Sequence, residues 1–175
     1  ILTWFDISGE NKKSIRTYTF DNIVEIGLAR TKRIHQHFTP SLVIKNEKFK
    51  SHFHSNILAV MVDAFTILLS NIQEHGELQS PEITVEVINE QRIGHTSKLQ
   101  VEIINPMQEK DVDFERLNKR RNEIISEDMK TRQEGGSGFH KLIALPYIHN
   151  KNDLQFRFED GYFKVSITFT LSLII

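Results

Sequence analysis

The stretch from Ser55 to Gly76, SNILAVMVDAFTILLSNIQEHG, runs for 22 residues without a proline. Its apolar residues fall at Ile57, Val60 or Met61, Ala64 or Phe65, Leu68 and Ile72. That three-and-four spacing predicts an amphipathic helix, capped at its start by Ser55 or Asn56 and ended by Gly76. A helix so apolar on one side must lie against another layer of structure. The opposite side is polar: at 100° per residue Ser70 and Glu74 each fall within about 20° of Asp63, with Asn71 and His75 at the margin. Such a stripe is either a solvated surface or one wall of a polar ligand pocket, and the helix alone leaves both readings open.

The chain around this helix is long enough, at 175 residues, for one domain with a substantial core. Lys plus Arg number 22 against 23 Asp plus Glu, which gives no general attraction to nucleic acid or to an anionic membrane. The absence of cysteine excludes disulfides, thiolate chemistry and cysteine metal sites. Uninterrupted apolar runs fall far short of a membrane span, so no direct membrane insertion is expected. The sequence begins ILTWFDIS without an initiator Met and ends in strand-like ITFTLSLII. It reads as a processed or excised piece of something longer, with a cytoplasmic location expected.

In chain order, ILTWF and IRTYTF flank the turn-rich SGENKK and predict a hairpin or two short strands within residues 1–20. Asp21 is placed to cap a helix over Asn22 to His35, and Pro40 closes the linker that follows. Residues 41–46, SLVIKN, read as a strand leading through EKFKSHFH into the central helix. Ile83, Val85 and Val87 alternate as one strand and Leu99, Val101 and Ile103 as another. NEQRIGHTSK is expected to connect them as an antiparallel hairpin. From Glu109 to Glu134 the chain carries seven basic and eight acidic residues with few large apolar ones, which predicts a polar helix over about 114–131. A glycine turn, Gly135, Gly136 and Gly138, then opens a helix from Phe139 to Ile148. LQFRFED and YFKVSITFTLSLII supply two more strands about Asp160-Gly161. The sum is a mixed, mostly antiparallel sheet with helices on one face, a two-layer α/β sandwich.

Gly136, Ser137 and Gly138 ahead of a helix N-terminus offer outward amides suited to phosphate. Their spacing matches neither a P-loop nor a dinucleotide fingerprint. In combination the motifs resemble the GHKL (Bergerat-fold) ATP-binding superfamily, and most closely the ATPase domain of sensor histidine kinases. DAFTILLSNIQEHG resembles its N-box helix, LQVEIINPM the strand and loop of its first glycine box, and GGSGFHK the second glycine box. The charged stretch at about 107–134 stands where the family has its ATP lid, and DGYFKVSITFTL resembles the terminal hairpin. The resemblance covers residues 42–173, with residues 1–41 leading in as part of one domain.

The resemblance implies ATP or ADP with Mg as ligands. Asn71 would reach the magnesium, and His75 and Lys141 the phosphates. Gly135, Gly136, Ser137 and Gly138 would close over the phosphates, and Asn105 and Met107 would line the base pocket. Two departures stand out. Asn105 replaces the aspartate that takes the adenine amino group, with Pro106 and Met107 where a glycine gives the base room. Ile67, one turn before Asn71, replaces a polar or general-base residue and can neither activate water nor bind a metal. By face, Glu74 and Asp63 are the substitutes for that base.

The implied function is an ATP/ADP–Mg binding domain of a larger histidine-kinase-like signalling protein, contacting other domains of that parent and dimerising through it. If active it would perform histidine-kinase-like phosphotransfer. The alternative is a degenerate module, a pseudo-ATPase with a structural or protein-interaction role. The histidine pairs His35/His37 and His52/His54 read as surface or loop residues rather than a zinc site, since neither cysteine nor an H-E-x-x-H pattern joins them. His35 as a phosphoacceptor would need a dimerising helical pair that its helix does not supply. Ser137 has no base partner for a nucleophile elbow.

Overall fold

The computed structural model describes residues 17–47, 52–76, 78–94, 96–107, 141–142, 147–148 and 153–172, with Glu115, Lys119 and Leu145. A two-residue strand β1 (Thr17–Tyr18) leads into helix α1 (Phe20–Ile34). Thr19 is the N-cap: its side chain accepts from the Asn22 amide at 3.2 Å while the Asn22 side chain accepts from the Thr19 amide at 3.3 Å. This reciprocal capping box starts the helix two residues ahead of the expected Asn22, since Asp21 already lies in its first turn. Strand β2 (Ser41–Lys45) and the short β3 (Phe53–His54) precede helix α2 (Ser55–His75), which matches the predicted central helix. Strands β4 (Glu82–Ile93), β5 (Thr96–Pro106), β6 (Leu154–Glu159) and β7 (Tyr162–Ser172) follow.

The main sheet has the order β2-β4-β5-β7-β6, with β2 parallel to β4 and every other pair antiparallel. The small ladder β1-β3 pairs Thr17 with His54 and Tyr18 with Phe53, so the first described strand joins the approach to α2. The expected strand in residues 1–16 and most of the charged helix over 114–131 lie outside the described residues. The hairpin between β4 and β5 differs from expectation. Residues 89–93 and 96–98, read as connection, stay paired down to Ile93↔Thr96, which leaves only residues 94–95 between the two strands. A bulge between Val87 and Asn89 breaks the alternation there, which hides the strand from a period-two reading. Asp160 and Gly161 take φ of 54° and 81° between β6 and β7, the paired positive dihedrals of a two-residue hairpin turn.

Alternation along the strands decides the layers. Ile83, Val85 and Val87 of β4, Leu99, Val101 and Ile103 of β5, and Val165, Ile167 and Phe169 of β7 are buried in one core with Ile57, Met61, Phe65, Leu68 and Ile72 of α2. Helices therefore cover one sheet face, giving a two-layer α/β sandwich. On the other face Glu86 stands directly opposite Glu102, a like-charge pairing that destabilises by itself. Arg157 offsets it with 2.8 Å contacts to both carboxylate oxygens of Glu102, whose side chain is only 6% exposed. Averaged hydropathy, unlike run length, makes Ile57–His75 apolar enough to cross a membrane. Half of that window is buried in this fold, so the apolar character is that of a core helix.

The two helices cross closely at Gly27. A Cβ built there would lie 2.8 Å from the Phe65 Cβ, an atom fixed to the α2 backbone. Next to the crossing, Thr31 Oγ1 donates to Gly27 O at 2.9 Å, and the Phe20 and Phe65 rings meet edge to face at 5.8 Å. Gly27→Val is expected to force the helices apart and to cost about 2–3 kcal/mol of stability in a urea titration. A loss under about 0.5 kcal/mol would show that the crossing yields without strain.

Candidate functional site

The chain order places several elements at one end of the sheet. A short link joins α2 to the start of β4, and β5 runs antiparallel to β4, so Pro106 ends at that same edge. Pro106 pairs with Tyr162, which puts the Asp160-Gly161 turn there as well. The loops after α1 and α2 run side by side into the parallel strands, with the Thr39 amide donating to Gln79 O and the Ser41 amide to Pro81 O, each at 3.0 Å. The last turn of α2, the end of β5 and the β6–β7 turn thus surround one end of the space between helices and sheet.

Helical geometry separates the polar groups of α2. Asp63 pairs with Arg30 of α1, and Glu74 Oε1 lies 4.0 Å from His35 Nε2 at the α1 C-cap. The stripe of Asp63, Ser70 and Glu74 is therefore the seam with α1 rather than a ligand wall. Asn71 and His75 lie on another side, within about 20° of the direction of Ala64 at 100° per residue. Ala64 is fully buried. Asn71 thus continues the buried side of α2 on the flank turned away from α1, and its Nδ2 is buried without a hydrogen-bond partner. His75, the last helical residue, is exposed. Ile67 packs against the core, as its side chain demands.

Asn105 lies on β5 in register with Leu99, Val101 and Ile103, so its side chain takes the helix-facing side of the sheet. It is 2% exposed. Its Nδ2 donates to Pro106 O at 3.3 Å, and its Oδ1 is buried with no partner. Met107 follows, half-buried, with its amide donating to Gly161 O at 3.2 Å. The hairpin turn thereby holds the chain where it leaves the sheet. Lys141 is helical and exposed, ahead of the buried Leu142. Farther along, Tyr147 O accepts from the Thr170 amide at 2.8 Å, which ties this segment to β7. Gly135, Gly136, Ser137 and Gly138 lie outside the described residues.

An unpaired buried polar atom costs about 1–3 kcal/mol, and Asn71 and Asn105 each carry one at this end of the core. Gln73 Oε1 and His35 Nε2 are also buried and unpartnered. Gln73 lies within about 20° of Thr66 on the wheel, on the α1 side, so these two belong to the helix seam. In the sequence His35 stands out only as a zinc-pair or phosphoacceptor candidate, both set aside, and Gln73 does not stand out at all. The one signal for Gln73 is its seven-residue step from Thr66. Among the described residues no three His, Cys, Asp or Glu groups gather to hold a metal alone. Asn71 brings one amide oxygen, the kind of single protein ligand that magnesium held mainly by substrate phosphates and water takes, while the atom it leaves unsatisfied is Nδ2, a donor that suits a phosphate oxygen and not a metal.

A mixed, mostly antiparallel sheet covered on one face by helices, in a chain that matches a histidine kinase family over residues 19–171, is a histidine-kinase-like domain of the GHKL type. The chain matches, over residues 19–171, the family described as "y4jQ C-terminal putative histidine kinase domain", and it belongs to that family. None of the curated proteins compared matches it. Among solved structures it is similar to the catalytic domain of histidine kinase ThkA in two nucleotide-free forms. One has a TM-score of 0.56 at 9% identity and the other 0.52 at 12%, each covering 88% of this chain and 93% of the other. At such identities the likeness concerns the fold alone.

The hairpin beside Met107 carries a charge cluster. Lys164 Nζ donates to Glu159 Oε2 at 2.7 Å, and Arg157 Nε lies 3.9 Å from the same oxygen. The Lys164 hydrogen bond first, then the Lys164 and Arg157 charges, hold the exposed Glu159 carboxyl below its ordinary value. A carboxylate depressed in the folded state adds stability above its unfolded pKa, and that contribution is lost as pH falls through the folded one. A side-chain NMR titration is expected to place the Glu159 midpoint below that of a free glutamate, and Lys164→Met to move it back up. A midpoint indifferent to Lys164→Met would rule out Lys164 as the main cause of the shift.

Proposed function

We propose that this domain binds a purine nucleoside triphosphate or diphosphate with Mg between α2 and the end of β5. The observation that carries the reading is the pair of buried amides, Asn71 on the helix and Asn105 on the strand, each with an unsatisfied atom at the same end of the sandwich. Asn71 would ligate the magnesium through Oδ1 and donate its unsatisfied Nδ2 to a phosphate oxygen, and His75 and Lys141 would meet the phosphates. The amides of Gly135, Gly136, Ser137 and Gly138 would close the phosphate site, and Asn105 and Met107 would take the base. Bound magnesium would neutralise phosphate charge and fix the orientation of the terminal phosphoryl group. The protein's own part is positioning, because phosphoryl transfer asks for little covalent chemistry from side chains. Neither Asp63, paired with Arg30, nor the exposed Glu74 beside His35 is presented to that flank as a base for water. That placement favours transfer to a histidine elsewhere in a larger kinase over hydrolysis.

The test combines binding with stability. Calorimetric titration of ATP and ADP, with and without Mg, is expected to give dissociation constants below about 1 mM, tighter with Mg. Asn71→Leu is expected to weaken Mg-ATP at least about tenfold. The same change should leave the free protein's melting temperature unchanged or higher, since it removes a buried unpaired amide. Absence of binding at millimolar nucleotide would sink the proposal in favour of a degenerate, non-catalytic module. A large loss of stability in Asn71→Leu would assign Asn71 a structural role instead.

A further inference from the structure

Asn105 is a neutral amide at the buried end of a strand, and its surroundings fix which way it faces. Its Nδ2 lies 3.3 Å from Pro106 O. A carbonyl only accepts, so the NH2 side of the amide must face it. The opposite atom, Oδ1, then points the other way, out of contact with water and with no donor. With the residue almost wholly buried, Oδ1 is an acceptor that nothing in the described protein satisfies.

We propose that Asn105 reads the nucleobase and makes the site a purine site of relaxed identity, open to 6-oxopurine as well as 6-aminopurine nucleotides. The inference rests on the nucleotide reading above. A 6-aminopurine donates its exocyclic NH2 to Oδ1 with the side chain as it stands. A 6-oxopurine presents an acceptor at that position, and two facing acceptors repel. A carboxylate there has no answer, because both of its oxygens only accept. An amide has one: a turn of about 180° about its terminal torsion exchanges Oδ1 and Nδ2 and aims a donor at the base. The turn gives up one long neutral hydrogen bond, to Pro106 O, and leaves that carbonyl facing Oδ1. One such bond lost and one carbonyl left unpaired correspond to a preference for the amino base of about tenfold, within a range of roughly five- to thirtyfold. The discrimination is therefore bounded by the weak local contact that orients Asn105.

The experiment is calorimetric titration of the full chain with the Mg salts of ATP, ITP and UTP. ITP carries the 6-oxo group without the 2-amino group of guanine, and UTP reports binding through phosphates alone. The expected result is ATP tightest, ITP about tenfold weaker, and UTP weaker than either. Asn105→Asp is expected to widen the ATP-to-ITP gap beyond about 100-fold, by removing the donor that the flip supplies. Asn105→Leu, which keeps the volume apolar should a buried carboxylate prevent folding, is expected to bring ATP and ITP to equal, weaker affinities. An ATP-to-ITP gap above about 50-fold in the wild type would overturn the inference and leave the nucleotide reading standing. So would a gap that neither variant changes, or equal binding of all three nucleotides. No binding of any nucleotide would overturn both.

Discussion

The crossing of α1 and α2 at Gly27 sets the position of everything that follows it in the helix layer. Because nothing larger than hydrogen separates Gly27 from the Phe65 Cβ, the two helices meet almost backbone to backbone. Ridges of side chain would otherwise hold helix axes roughly 8–10 Å apart with latitude to rock. Here the roll of α2 about its axis is fixed twice, by α1 at Gly27 and by the sheet through Met61, Phe65, Leu68 and Ile72. A helix held on two sides leaves one flank free, and Asn71 lies on that flank. A roll of one residue, 100°, would carry its amide into the apolar core or onto the α1 seam.

The same constraint explains the distribution of unpaired polar atoms. Most polar groups around a core this apolar find a partner. Arg30 takes Asp63, and Thr31 and Thr66 turn their hydroxyls back to helix carbonyls at Gly27 and Val62. On the open sheet face Gln100 donates to Ser166 at 3.0 Å, and Arg157 satisfies Glu102. Against that background four atoms stay unsatisfied, those of His35 and Gln73 at the helix seam and those of Asn71 and Asn105 at the end of the sandwich. Of the latter two, one comes from a helix held by hydrophobic packing and the other from a strand held by ladder hydrogen bonds, so they do not share a local cause. Their common location at the end of the sandwich is the feature on which the proposed nucleotide site rests.

Much of this arrangement is legible in the sequence. Strict alternation in Ile83-Val85-Val87 and in Val165-Ile167-Phe169 identifies the buried sheet face, and the spacing of Ile57, Met61, Phe65, Leu68 and Ile72 identifies the covering helix. Asp160-Gly161 announces its turn through residues that tolerate positive φ. The length of the β4–β5 hairpin is not legible, because past the bulge at Val87–Asn89 the strands carry polar residues on both sides. Backbone pairing continues there without a hydrophobic face to signal it. The polar face of α2 misleads for a related reason. Asp63, Ser70 and Glu74 form a polar stripe on the wheel, but a wheel does not say whether water, a ligand or another helix lies opposite.

Asn105, buried at the end of β5, differs from a carboxylate at that position first in what it costs the free domain. A carboxylate buried at the end of β5 would carry a charge with a desolvation cost of several kcal/mol unless a donor met it. The amide carries no charge, and its cost is that of one unpaired acceptor, about 1–3 kcal/mol. The free domain with asparagine therefore carries a smaller burial cost here than one with aspartate would. Pro106 contributes as well: lacking an N–H, it can end β5 without leaving a donor unpaired. Its carbonyl then becomes the contact that orients the amide. Neutral charge, a proline that ends the strand and a single weak orienting bond make one local arrangement, and the proposed relaxed base reading follows from it.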